Sequence, residues 1–64
     1  MTTSGSVGKA AEAAFAIATA CNAAAVGLDL CARRTHEETI AVAAKSAAAN
    51  LRSLADETVA TAAA

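Results

Sequence analysis

Cys31-Ala32-Arg33-Arg34-Thr35-His36-Glu37-Glu38 is the polar interval between two alanine-rich runs, Lys9 to Leu30 and Ile40 to Ala64. If the interval is helical, the chain is one long rod; if it turns, the chain is a hairpin. Thr35 followed three residues later by Glu38 matches the capping box, S/T-x-x-E, which marks a helix start. Arg33 and Arg34 would then close one helix and Glu37 and Glu38 open the next, each with the charge that suits the helix dipole there. A continuous helix would instead pair Arg33 with Glu37 and Arg34 with Glu38, the less favourable order for i,i+4 ion pairs. Neither glycine nor proline lies in the interval to force a turn. The capping and dipole signals favour the hairpin, and the single rod is the alternative.

About one residue in three is alanine, and the chain has no proline. Alanine forms helix more readily than any other residue because it loses no side-chain entropy. It also buries little surface. With 64 residues, one phenylalanine and no tryptophan or tyrosine, the chain has few large core fillers. A core of this size is marginal, and natural chains of this length add disulfides, metals or further copies. The net charge of −1, from five basic and six acidic residues, does little to oppose association.

Working outward, Met1 to Ser6 reads as a flexible polar start, with Ser6 a candidate N-cap. A helix over residues 7–33 and a second over 36–62 follow, making 7–64 one helical domain. In the first, Ala10, Ala14, Ile17, Cys21, Ala24, Leu28 and Cys31 alternate four and three apart. In the second, Ile40, Ala44, Ala47, Leu51, Leu54, Thr58 and Thr61 do the same. These heptad-like seams are expected to face each other in the hairpin. Their larger members, Ile17, Cys21, Leu28, Cys31, Ile40, Leu51 and Leu54, are the candidate self-association seam. Phe15, Val26 and Leu30 form a second apolar face on the first helix. A helix apolar on more than one side is usually covered on more than one side, which favours an assembly of copies.

Chemistry-bearing residues are few. Cys21 and Cys31 are too few for a disulfide framework. On one helix they would lie about 15 Å apart, beyond the roughly 7 Å that a disulfide tolerates. They read as buried small apolar residues, with an intermolecular disulfide as the alternative, and reduced thiols point to a cytoplasmic location. Pairing His36 with Cys31 as base and nucleophile lacks an orienting acid and an oxyanion loop, so no enzyme activity is expected. Cys21, Cys31 and His36 lack zinc-ligand spacing, and Gly5-Ser6-Val7-Gly8-Lys9 lacks the length and context of a phosphate loop. Neither a cofactor nor a small-molecule substrate is expected. The basic residues, Lys9, Arg33, Arg34, Lys45 and Arg52, are spread out and matched by acids, so no nucleic-acid partner is expected. The uncharged stretch Ala13 to Leu28 spans 16 residues, short of the about 20 apolar residues of a membrane span. The chain is therefore expected to be soluble.

Ala13-Ala14-Phe15-Ala16-Ile17, then Asn22-Ala23, then Gly27-Leu28-Asp29-Leu30-Cys31-Ala32, resemble the alternating small and large apolar pattern of the R-body (Reb, "killing trait") proteins. These are short, alanine-rich helical polypeptides of bacteria, and the resemblance extends over about two thirds of the chain through the polar joint to Ile40. The chain differs from that pattern in having no proline near the helix start and no glutamine in the joint. The resemblance implies a structural subunit that polymerises into a coiled ribbon and extends on acidification. For that response His36, Glu37 and Glu38 are the candidate pH-responsive joint. The expectation is thus an all-α, antiparallel helical hairpin that associates with other copies of itself into a polymer or ribbon. The alternative is a small dimeric binding or regulatory module, two hairpins forming a four-helix bundle.

Overall fold

The computed structural model describes the backbone of residues 2–63 and the side chains of residues 8–63. It contains two helices, α1 over Thr2–Arg34 and α2 over Glu38–Ala63, packed along their lengths as a hairpin. The molecule is a narrow slab, 55 × 15 × 9 Å between Cα extremes. Helix α1 starts at Thr2, earlier than the start at Val7 expected from Gly5, Gly8 and the Ser6 cap signal. Extension of an established helix adds one hydrogen bond per residue fixed, and the alanine run that follows supplies that helix. Met1 lies outside the described backbone, as do the side chains of 2–7 and hence the Ser6 cap.

The turn uses only three residues, Thr35, His36 and Glu37. The Thr35 N–H donates to the Cys31 carbonyl at 3.0 Å, the last helical bond of α1, and Ala41 N–H donates to the Glu37 carbonyl at 2.9 Å. Between them the Glu37 N–H donates to the Thr35 hydroxyl at 3.1 Å. The break therefore falls where the capping-box signal places it, but its bonds differ. The reciprocal half of a capping box needs a free Thr35 N–H, and that donor is already held by Cys31. Thr35 instead makes a local hydroxyl turn. Among the described residues no backbone φ is positive, which explains how the chain turns without glycine. Arg33 and Arg34 end α1 and Glu38 begins α2, each complementing the dipole.

The packing is made of alanine. The buried residues are Ala14, Ala18, Ala25 and Ala32 on α1 and Ala44, Ala48 and Ala55 on α2. Cys21, Leu28, Leu51 and Thr58 sit beside them half-buried. The two expected seams therefore do not face each other as written. Ala14, Cys21 and Leu28, and Ala44, Leu51 and Thr58, keep their places. The positions between them shift by one residue, from Ile17, Ala24 and Cys31 to Ala18, Ala25 and Ala32, and from Ala47 and Leu54 to Ala48 and Ala55. Ile17 and Ile40 are each 50% exposed and Leu54 is 48% exposed. The reason is steric. Two helices alone gain most by approaching closely, and only methyl-sized side chains fit on the line of closest approach. The larger residues rotate outward, since a third helix is needed to cover them.

The register follows from sequence. Alanine occupies every seventh position at 11, 18, 25 and 32 on α1, and at 41, 48, 55 and 62 on α2. Ala18 and Ala55 line one open cleft between the helices and Ala11 and Ala62 another, so the two alanine ladders run antiparallel and opposed.

Candidate functional site

With the alanine ladders turned inward, 100° per residue assigns every other side chain to a side of the slab. One broad side carries Ile17, Cys21, Ala24, Leu28 and Cys31 from α1, and Ile40, Ala47, Leu51, Leu54 and Thr58 from α2. It bears no charged residue. All seven members of the candidate self-association seam thus share one surface. Ile17, Cys31, Ile40 and Leu54 lie exposed on this face, while Cys21, Leu28 and Leu51 sit half-buried where it meets the internal contact. Neither cysteine is buried as expected: Cys31 is exposed and Cys21 half-buried, because the contact line passes through Ala32 and Ala25 beside them.

The opposite broad side is mixed. Arg52 Nη2 donates to Asp29 Oδ2 at 2.5 Å, and both side chains are partly exposed. Phe15, 70% exposed, lines an open cleft with Thr19, Asn22, Asp56 and Val59. Phe15, Val26 and Leu30, the second apolar face, spread from this side onto the outer side of α1. Sequence reasoning missed Val59, 41% exposed, which sits beside Phe15. Its signal was its place, four residues beyond the buried Ala55.

The outer sides of the two helices differ. Thr39, Ser46, Asn50, Ser53 and Glu57 make the outside of α2 mostly polar, with Val42, 59% exposed, the large apolar residue among them. The outside of α1 is Ala16, Ala20, Ala23, Gly27 and Leu30, with charge only near its ends at Lys9, Glu12 and Arg34. As a result Gly8–Arg34 is long and apolar enough, by length and composition, to cross a membrane, although only a small part of it is buried in the hairpin. The midchain hydroxyls fold back onto their own helices: Thr19 Oγ1 donates to the Phe15 carbonyl at 2.9 Å and Thr58 Oγ1 to the Leu54 carbonyl at 2.7 Å. Their donors are thereby spent locally.

His36, Glu37 and Glu38 are exposed together at the turn. The structure brings this trio to one end of the slab. Cys31 belongs to the uncharged face near the same end. Among the described residues no three histidine, cysteine, aspartate or glutamate side chains lie close enough to share a metal ion. The surface clefts are open and lined mostly by alanine, threonine and valine. No protein family model, curated protein or solved structure matches the chain.

Proposed function

We propose that this chain is a structural subunit whose task is to assemble with copies of itself, and that the uncharged face carrying Ile17, Leu28, Ile40, Leu51 and Leu54 is the principal contact. The observation that carries the reading is unfinished burial. Among the described residues every buried side chain is an alanine, whereas Phe15, Ile17, Val26, Leu30, Ile40, Val42, Leu54 and Val59 are 40–70% exposed. A stable interface takes roughly 800 Å² from each partner. Two helices about 8 Å apart, each about 10 Å wide and overlapping for about 39 Å, give the uncharged face a projected area on the order of 700 Å². One face therefore has the size that one interface requires.

A closed pair of hairpins would cover that face and leave Phe15 and Val26 in water on the other side. This favours an extended polymer over a discrete four-helix bundle, and a ribbon is the form that the R-body resemblance implies. Leu54→Asp tests the reading. Leu54 is 48% exposed, so an aspartate there is tolerated by the isolated hairpin. In the assembly it would bury an unpaired carboxylate, which is strongly unfavourable. The expected result is retained helicity with assembly reduced at least tenfold. Unchanged assembly would remove the uncharged face as the contact. Binding of the wild-type chain to lipid vesicles in place of self-association would replace the reading with a membrane role for Gly8–Arg34.

A further inference from the structure

The outward side of α1 is self-complementary, and we infer that it forms a second contact, α1 against α1 of another copy, antiparallel about a two-fold axis at Ala23. This contact rests on the self-assembly reading above and adds a second partner surface to it.

At 100° per residue, positions 12, 16, 23, 30 and 34 fall within about 40° of one another, on the side of α1 directed away from α2. Each is exposed. Glu12 and Arg34 are charges at the two ends of this strip, with Lys9 on its flank beyond Glu12, and the midpoint of Glu12 and Arg34, (12 + 34)/2, is residue 23. An antiparallel copy centred there pairs positions whose numbers add to about 46. Glu12 then meets Arg34 of the second copy, and the reverse pair repeats the contact at the other end. Among the described residues the ion pair within the chain is Asp29 with Arg52, so Glu12 and Arg34 are both unengaged in the hairpin.

The uncharged positions match as well. Ala23 lies on the axis opposite itself, where a small side chain is required. On one flank Ala20 comes beside Gly27 of the second copy. On the other, Leu30, 40% exposed, comes beside Ala16 of the second copy. Gly27 has no role inside the hairpin: a Cβ there meets nothing within 4 Å. Glycine in a helix interior costs stability relative to alanine, so its presence in an alanine-rich helix fits a backbone approached closely from outside.

The strip runs for about 33 Å between Glu12 and Arg34. At a helix width of about 10 Å it covers on the order of 330 Å² per copy, less than half of a standard interface. It therefore acts together with the uncharged face. Two different self-contacts on one chain extend an assembly beyond a pair.

Disulfide trapping tests this in the full chain. In a background with Cys21→Ala and Cys31→Ala, Ala23→Cys should give a covalent dimer as the main product on oxidation with diamide. Ser46→Cys, on the outer side of α2, should give little. Within the Ala23→Cys chain, Glu12→Arg alone and Arg34→Glu alone should each lower the dimer yield severalfold, and the two together should restore it, with helicity by circular dichroism unchanged throughout. If the chain assembles but Ala23→Cys traps no more dimer than Ser46→Cys, or the charge swap restores nothing, the α1 contact is wrong and the uncharged face stands. If the parent chain stays a 6.2 kDa monomer at every concentration, both contacts fall.

Discussion

Ala25→Leu is the sharpest test of how the hairpin is held, because its neighbour supplies the control. Ala25 is fully buried, 0% exposed, while Ala24 is exposed. Each buried methyl contributes about 0.8 kcal/mol, so the seven buried alanines together supply roughly 5–6 kcal/mol. A leucine at 25 adds three carbons on the line of closest approach. Accommodating them moves the helices from about 8 to about 10 Å apart over the adjoining turns. That half-uncovers Ala18, Ala32 and the alanines facing them, and the loss is about 1.5–2 kcal/mol, within the range of overpacked cores. For a chain of this size the melting midpoint should fall by roughly 6–16 °C. Ala24→Leu places the same carbons on the surface and should stay within about 0.5 kcal/mol of wild type. Thermal melts by circular dichroism, at a concentration where wild type is monomeric, read the difference. A larger loss for Ala24→Leu than for Ala25→Leu would show that the helices pack on the other heptad.

A double-mutant cycle on Asp29→Ala and Arg52→Ala should give a coupling of about 0.2–1 kcal/mol, since both side chains remain partly exposed; chemical denaturation measures it, and a markedly larger value would mean that the pair is buried in solution. Replacing His36, Glu37 and Glu38 together with Gln removes the titrating groups of the turn without changing its length. If the turn governs a pH response of the assembly, the midpoint followed by turbidity against pH shifts or vanishes in this variant, and an unchanged profile would assign the response elsewhere. Thiol labelling should modify Cys31 before Cys21 in the monomer, following their exposure, and assembly should slow both. Equal, unprotected labelling in the assembled state would place the uncharged face in solvent.

Much of this architecture was legible in the amino-acid sequence, and the errors have a common cause. The turn followed from charges and a threonine: Arg33 and Arg34 suit a helix end, Glu37 and Glu38 a helix start, and Thr35 offers a hydroxyl to the exposed amides between them. The heptad spacing was legible too, but not which of two adjacent heptads lies inside. Reasoning by size put Ile17, Cys31, Ile40 and Leu54 in the contact, as in a larger core. In a two-helix slab the favourable line is the one where the backbones come nearest, and alanine holds it. The unbroken seventh-residue alanines at 18, 25 and 32, and at 41, 48 and 55, were the available signal, masked by the alanines around them. Correcting the rotation also relocated the candidate self-association residues. Ile17, Leu28, Ile40, Leu51 and Leu54 stay together as a group because both helices turn in the same sense, which leaves Leu28 and Leu51 half-buried at the edge of the contact and puts Ile17, Ile40 and Leu54 on the surface. The charged partners of the outer strip, Glu12 and Arg34, are 22 residues apart in sequence. They acquire meaning only once α2 is known to occupy the other side of α1.

Whether the hairpin completes its burial with copies of itself is read most plainly by sedimentation velocity of the wild-type chain from micromolar to millimolar concentration, with circular dichroism on the same samples. Species growing well beyond a pair are expected as concentration rises, with helicity and thermal stability increasing in parallel because copies supply the burial that alanine does not. A fully helical 6.2 kDa monomer, unchanged across that range, would contradict self-assembly outright.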